Sequence, residues 1–212
     1  MGNRSQLLQA KTAQLFGLSN LRKLPTGRYT PLMSQPNQKR LSTFVALDFE
    51  TSDYWRDSAC AVGLVRVESG RIVERRRGLI RPPRRRFSQT RVHGLTWEDV
   101  RDAPRFSEVW ATVRPLLKGA EFLAAHTAFD RSVLSACCDA ARLAVPAAPF
   151  LDTMKLARYR WCIYPTKLDN VCRYLGLRLK HHDPLSDAEA CARIVLMAGR
   201  RASKSGLAGI LS

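Results

Sequence analysis

The sequence predicts an α/β domain: a mixed β-sheet whose first three strands are antiparallel, flanked by α-helices on both faces. Two observations carry this. Three β-rich runs come first, the second and third separated by a Ser69-Gly70 hairpin signal. Helical stretches then alternate with a short strand, and antiparallel strands followed by βα units give a mixed sheet covered on both sides. At 212 residues the chain can bury one core and carry a tail, and no internal repeat divides it.

The first strand is read from Phe44-Val-Ala-Leu-Asp48, the second over 61–67 and the third over 71–75. A helix is expected over 106–117, a strand over 122–125 and a helix over 130–143. Two more helical stretches are expected over 153–160 and 167–175, and a last helix from Pro184 to about residue 200. Residues 1–41 read as a basic, flexible N-terminal arm, because residues 1–40 hold seven basic residues and no acidic one. Within it, 6–18 has the pattern of one amphipathic helix, whereas Pro25-Thr-Gly27 and Ser34-Gln-Pro-Asn37 punctuate a loop. The compact domain is expected over 42–199, with a basic tail over 200–212.

Lys and Arg number 35 against 18 acidic residues, a formal charge of +17, which points to a polyanionic partner. Charge alone does not separate DNA from RNA or from acidic lipid. The six cysteines have no C-x-x-C spacing, so a zinc site is not indicated and reduced, mostly buried thiols are expected. No apolar run approaches the ~20 residues of a membrane span, and no secretory signal is visible. A cytoplasmic protein without a membrane partner is expected, or an organellar one if residues 1–40 are a transit peptide.

Three short stretches carry the chemistry. In Asp48-Phe-Glu50 the two acids lie at i and i+2 of a strand and share a face, while Leu47 and Phe49 pack on the other. Paired carboxylates repel, and a hard divalent cation with oxygen ligands is the usual resolution. Asp130, after Phe129, is expected to open a helix where the preceding strand meets it, a place where ligands gather in α/β sheets. In His182-Asp-Pro-Leu-Ser-Asp187, Asp183-Pro184 makes an N-cap and N1 pair, which fixes Asp187 on the first turn and leaves His182 just outside. A metal ligand suits the first position and a general base the second.

These residues, in this order, resemble the DEDDh 3′-5′ exonucleases, the superfamily of the epsilon proofreading subunit of DNA polymerase III and of ribonuclease T. The likeness runs over about 44–197 and includes Arg91-Val-His-Gly-Leu-Thr96, Asp152-Thr153, Leu168-Asp-Asn-Val171 and Leu175-Gly176. It implies an RNase H-like fold, with Asp48, Glu50, Asp130 and Asp187 binding two Mg²⁺ or Mn²⁺ ions and His182 as base. It further implies hydrolysis of terminal phosphodiesters at nucleic acid 3′ ends, single-stranded or frayed, releasing nucleoside 5′-monophosphates. DNA is favoured over RNA; an RNA-trimming ribonuclease or a polymerase-associated proofreading module are the alternatives.

One departure is that His126-Thr-Ala-Phe-Asp130 is one residue shorter than the His-Asn-x-x-Phe-Asp of many relatives, so His126 takes a slot where Asn is common. Phe49, Thr51, His93, His126 and Phe129 are the expected contacts of the terminal nucleotide, and Arg84, Arg85 and Arg86 of the phosphate backbone. Gln14-Leu-Phe-Gly-Leu18 loosely resembles sliding-clamp-binding peptides, so the arm is a candidate dock for a DNA polymerase or clamp.

Overall fold

The structure, a computed structural model, describes residues 43–199 together with 21–23 and 29–31. Residues 1–39 form a unit of their own, in which β1 (Leu21–Lys23) pairs antiparallel with β2 (Tyr29–Pro31). This strand pair was not foreseen: its two runs flank Pro25-Thr-Gly27, which reads as loop when the flanking runs are only three residues long. The helix expected over 6–18, the clamp-like Gln14-Leu-Phe-Gly-Leu18 and the tail over 200–212 lie outside the described residues.

The second unit is built on a five-stranded sheet in the order β5-β4-β3-β6-β7. β3 (Phe44–Thr51), β4 (Ala59–Glu68) and β5 (Arg71–Leu79) are consecutive antiparallel strands. β6 (Phe122–Ala125) joins β3 in parallel, and β7 (Phe150–Asp152) joins β6 in parallel. The expected mixed sheet with three antiparallel strands is thus the observed one. Ser69 and Gly70 join β4 to β5 with φ of 49° and 78°, the two positive values that a twist-matched hairpin turn requires.

Alternate residues of β3 divide two cores. Phe44 and Ala46 face α5 (Thr153–Trp161), α6 (Leu168–Leu175) and α7 (Pro184–Gly199). Val45, Leu47 and Phe49 face α3 (Phe106–Val113) and α4 (Ala128–Ala140). Between β5 and α3, two single-turn helices, α1 (Thr90–His93) and α2 (Trp97–Val100), carry the chain past the end of the sheet. Helices therefore cover both faces, and the fold brings the ends of β3, β6 and α7 to one place.

Several boundaries differ from expectation for local reasons. β5 runs on to Leu79, four residues past the expected end at Arg75, so Arg76 and Arg77 also lie on this edge strand; charge there discourages edge-to-edge pairing. The helix expected over 106–117 hands over to a 3₁₀ turn at Arg114–Leu117, since Pro115 has no N–H to continue the α ladder. The helix expected over 130–143 begins at Ala128, capped by the Thr127 hydroxyl, which accepts from the Phe129 N–H at 3.1 Å. Asp130 therefore sits inside the first turn instead of opening it. The helix ends at Ala140, before Arg142 turns left-handed at φ 54°. Cys60, Cys137, Cys138, Cys172 and Cys191 are buried and free, and Cys162 is exposed. No helix among the described residues is long and apolar enough to cross a membrane.

Candidate active site

The site forms where β3 outruns its parallel neighbour. The β3–β6 ladder ends at Ala46 and Ala124, whereas β3 continues to Thr51. Beyond that point the Phe49 N–H has no strand partner and donates to Asp130 Oδ1 at 2.9 Å. Asp130 of α4 thereby completes the hydrogen bonding of the strand that carries Asp48 and Glu50.

Asp48 and Glu50 occupy the face covered by α7. Gly63, opposite Asp48 on β4, lies against Pro184, and the buried Ala188, Cys191 and Ala192 of α7 are also small, so α7 approaches the sheet closely. Its start follows the expected pattern: Asp183 Oδ1 accepts from the Ser186 N–H at 3.1 Å, with Pro184 next in the chain. His182 has left-handed backbone at φ 66° and donates its N–H to Asp187 Oδ2 at 3.0 Å. Carboxylate oxygens of Asp48, Glu50 and Asp187 lie within 4.8 Å of one another. The second Asp187 oxygen, Oδ1, is buried without a hydrogen-bond partner.

Four carboxyl groups in so small a space resist ionisation. Burial, reinforced by Asp130, Asp187 and Glu50, drives the Asp48 carboxyl well above the usual range. Burial first and the neighbouring acids second push Glu50 up to about 8. Burial also lifts Asp130 to about 7, against the Phe49 hydrogen bond, and Asp187 to about 6, against its bond from His182. A divalent cation would reverse this balance, because it gives buried carboxylates the counter-charge they lack. An all-oxygen donor set with one orphaned buried oxygen fits such an ion. Beside it, burial and the stacked His181 ring, 3.8 Å away, lower the pKa of His182, which leaves a neutral imidazole able to accept a proton.

Two cavities open from this centre. The larger, about 490 Å³, is lined by the four acids, His126 and His182, and the smaller, about 370 Å³, by Thr51, Tyr54 and His93; both share Phe49, Glu50 and Phe129. Every residue expected to touch the terminal nucleotide therefore lines one cavity or the other. Two of them also have structural partners. His93 Nδ1 accepts from the Leu95 N–H at 3.1 Å, so its Nε2–H faces the Thr51 carbonyl at 3.1 Å. His126, buried, spans from the Thr153 hydroxyl at 3.1 Å to the Thr166 carbonyl at 3.0 Å, bracing the end of β6 against α5 and the loop before α6.

The three loop arginines separate. Arg84 Nε lies 3.1 Å from Asp53 Oδ2 and its Nη1 2.9 Å from Asp57 Oδ2, so it organises the 53–57 loop, and the phosphate contact expected of it is met by internal acids instead. Arg85 is exposed with its guanidinium 5.2 Å from the Trp97 ring, and Arg86 is exposed.

A model of the exonuclease family matches residues 45–195. The chain belongs to the exonuclease family. Among curated relatives, the PolC-type DNA polymerase III of Thermotoga petrophila is 30% identical over 172 residues; the match takes in 78% of this chain but only 12% of that much longer protein. Among solved structures, Exonuclease X in complex with 5′ overhanging duplex DNA superposes with a TM-score of 0.61 at 26% identity, covering 79% of this chain and 98% of that one. A 3′-exonuclease that recognises a histone mRNA stem-loop has the same fold, with a TM-score of 0.66 at 21% identity over 81% of this chain and 85% of that one.

Membership places the chain in the DEDD 3′-5′ exonuclease superfamily with an RNase H-like fold, as its motifs had suggested. A further structure of the same fold, an E. coli ExoI–ssDNA complex at 16% identity with a TM-score of 0.65 over 76% of this chain and 41% of that one, was determined in a zinc-ion-bound form. Sequence reasoning missed the wall of the larger cavity formed by Met154, Arg158, Pro165 and Lys167, and the Arg56 guanidinium 4.1 Å over the Phe129 ring. The only signal for that wall was the interleaving of Arg, Tyr and Lys over 155–167, which also reads as an ordinary solvated helix end.

Proposed function

We propose that this chain is a metal-dependent 3′-5′ exonuclease that removes nucleoside 5′-monophosphates from single-stranded or frayed 3′ ends, with DNA preferred to RNA. The observation that carries it is the convergence of Asp48, Glu50, Asp130 and Asp187, one buried oxygen left unsatisfied, beside His182. The four carboxylates would hold two Mg²⁺ or Mn²⁺ ions. When bound, such ions neutralise charge on a phosphodiester and lower the pKa of a water.

The protein's own groups supply the rest. A ring nitrogen of His182 accepts the water's proton as the oxygen attacks the terminal phosphorus and the bond to the preceding O3′ breaks. Its left-handed backbone, tied through its N–H to Asp187, keeps the base beside one carboxylate. Asp130 holds the end of β3 through Phe49, so the acids of β3 and α4 share one frame. Phe129, common to both cavities, offers an apolar surface for the terminal nucleoside. Exonuclease X, the more similar in sequence of the two solved structures, was determined with DNA, which supports DNA as substrate. Likeness to a PolC-type polymerase supports a polymerase partner, met through residues 1–41.

The test is digestion of 5′-labelled DNA and RNA of matched sequence with Mg²⁺, Mn²⁺ or EDTA by wild type and Asp48→Ala. A metal-dependent ladder shortening from the 3′ end, faster on DNA and absent in the variant, is expected. No digestion in either metal would refute the reading, and faster RNA digestion would transfer it to RNA.

A further inference from the structure

Because the two cavities meet at Phe49, Glu50 and Phe129, a strand held at the acids has two exits. We propose that the body of the substrate strand leaves through the larger cavity along a rail of Arg158, Tyr164 and Lys167, and that this rail selects single-stranded nucleic acid. The proposal rests on the exonuclease reading above.

The rail combines the two groups that bind single strands without reading sequence: an aromatic face for a base and cations for phosphates. Tyr164 is 73% exposed, an aromatic ring offered to solvent and not to either core. The Arg158 guanidinium lies 5.6 Å from the centre of that ring, and its Nε donates to the buried Thr166 hydroxyl at 2.8 Å. Cation and ring are thus presented together from one fixed point. The Thr166 carbonyl is held by His126, which sits at the end of β6, so the rail is fastened to the frame that carries the acids. Lys167 follows directly, exposed, on the wall of the same cavity.

The smaller cavity is a poorer exit. Its walls are fastened by His93 to Thr51 and by Arg84 to Asp53 and Asp57. It is the smaller of the two, whereas the exposed Lys155 follows directly on Met154 of the larger cavity's wall. Stacking on Tyr164 needs a base whose face is not already covered by its neighbour. A paired end meets that condition only after fraying.

The experiment compares hydrolysis of a short oligothymidylate with that of the p-nitrophenyl ester of thymidine 5′-monophosphate, which has no upstream nucleotide. Tyr164→Ala is expected to raise KM for the oligonucleotide roughly tenfold with kcat retained, leave the ester unaffected, and be rescued by Tyr164→Phe. Lys167→Ala should reduce the slope of log KM against log salt by about 0.7. Tyr174→Ala, at an exposed tyrosine of α6, is the control and should change neither substrate. An unchanged oligonucleotide KM in Tyr164→Ala, or an equal loss on the ester, would overturn the rail. So would a chain-length-dependent loss in Trp55→Ala instead, which would send the strand out beside the smaller cavity. Should wild type hydrolyse neither substrate, the exonuclease reading fails, and anisotropy with labelled single-stranded DNA still decides the rail. Equal affinity of wild type and Tyr164→Ala overturns it, and weaker binding rescued by Tyr164→Phe upholds it.

Discussion

Gly63 lies directly beneath Pro184. A methyl group at Gly63 would stand 2.1 Å from the Pro184 carbonyl oxygen and 2.5 Å from the Leu185 nitrogen. Gly63 is also the cross-strand partner of Asp48. The bare backbone there lets the first turn of α7 settle onto β4, which puts Asp187 in reach of Asp48 and Glu50.

Gly63→Ala is therefore expected to lift the start of α7 and separate the acids. Both obstructing groups are backbone, so no rotamer change relieves the clash, and a cost of about 1–3 kcal/mol follows. Thermal melting should show the lower stability, and nuclease activity should fall further than the unfolded fraction explains. A variant matching wild type in both would mean that α7 does not rest on β4 in this way.

Metal-free protein should lose stability as pH rises. Glu50, Asp130 and Asp187 have folded pKa values of about 8, 7 and 6, above the ~4 of an unfolded carboxyl, so the folded state holds extra protons between these limits. Their contribution is fully present below the unfolded value, declines as pH rises above it, and is gone once pH has climbed through 6, 7 and 8 in turn. In EDTA the melting temperature should drop between pH 6 and pH 9, and Mn²⁺ or Mg²⁺ should restore more of it at pH 9. A metal-free melting temperature that rises over this interval would contradict the burial of these acids.

Arg84 should matter for stability. The Asp53 side chain is only 1% exposed; burial alone would raise its pKa, but bonds from Arg84 and the Trp55 N–H hold it below the usual range. Arg84→Ala leaves that carboxylate buried without its cation. Since Arg84 is itself 38% exposed and water can enter the gap, a loss of roughly 1–2 kcal/mol is expected, below the full cost of breaking a buried pair. Because folding holds the two aspartates ionised, this contribution is present at neutral pH and fades below about pH 4. Equal urea midpoints for wild type and variant at neutral pH would show that the pair contributes nothing.

The same arginine illustrates what could be read in advance. The chain of β-runs, the Ser69-Gly70 turn and the Asp183-Pro184 cap are local signals, and strand and helix periods decide them without tertiary information. The shared face of Asp48 and Glu50 was legible because residues two apart on a strand point the same way. A run such as Arg84-Arg-Arg86 has several readings, and its outcome depends on Asp53 and Asp57, about thirty positions earlier, which only the fold brings to Arg84. The histidines behave alike: His93 and His126 line the cavities, but their bonds to Thr51, Thr153 and Thr166 join segments too far apart in sequence to foresee.

Asp130 separates a structural bond from a charge, and two substitutions take them apart. In Asp130→Asn the amide oxygen can still accept from the Phe49 N–H, while one negative charge leaves a crowded, buried set. Metal-free stability should be retained at pH 6 and improved at pH 8, where the native carboxylates repel most. Activity should nevertheless fall roughly 100-fold or more, because the charge opposing the cations is gone. Asp130→Ala removes the acceptor as well and leaves the Phe49 N–H unsatisfied, so it should add a stability loss of about 1–3 kcal/mol to the same loss of activity. Melting curves at the two pH values, set beside initial rates, distinguish the roles. If Asn destabilises as much as Ala, the ionised carboxylate holds β3 and the charge is part of the frame; if Asn keeps wild-type rates, Asp130 serves the strand alone.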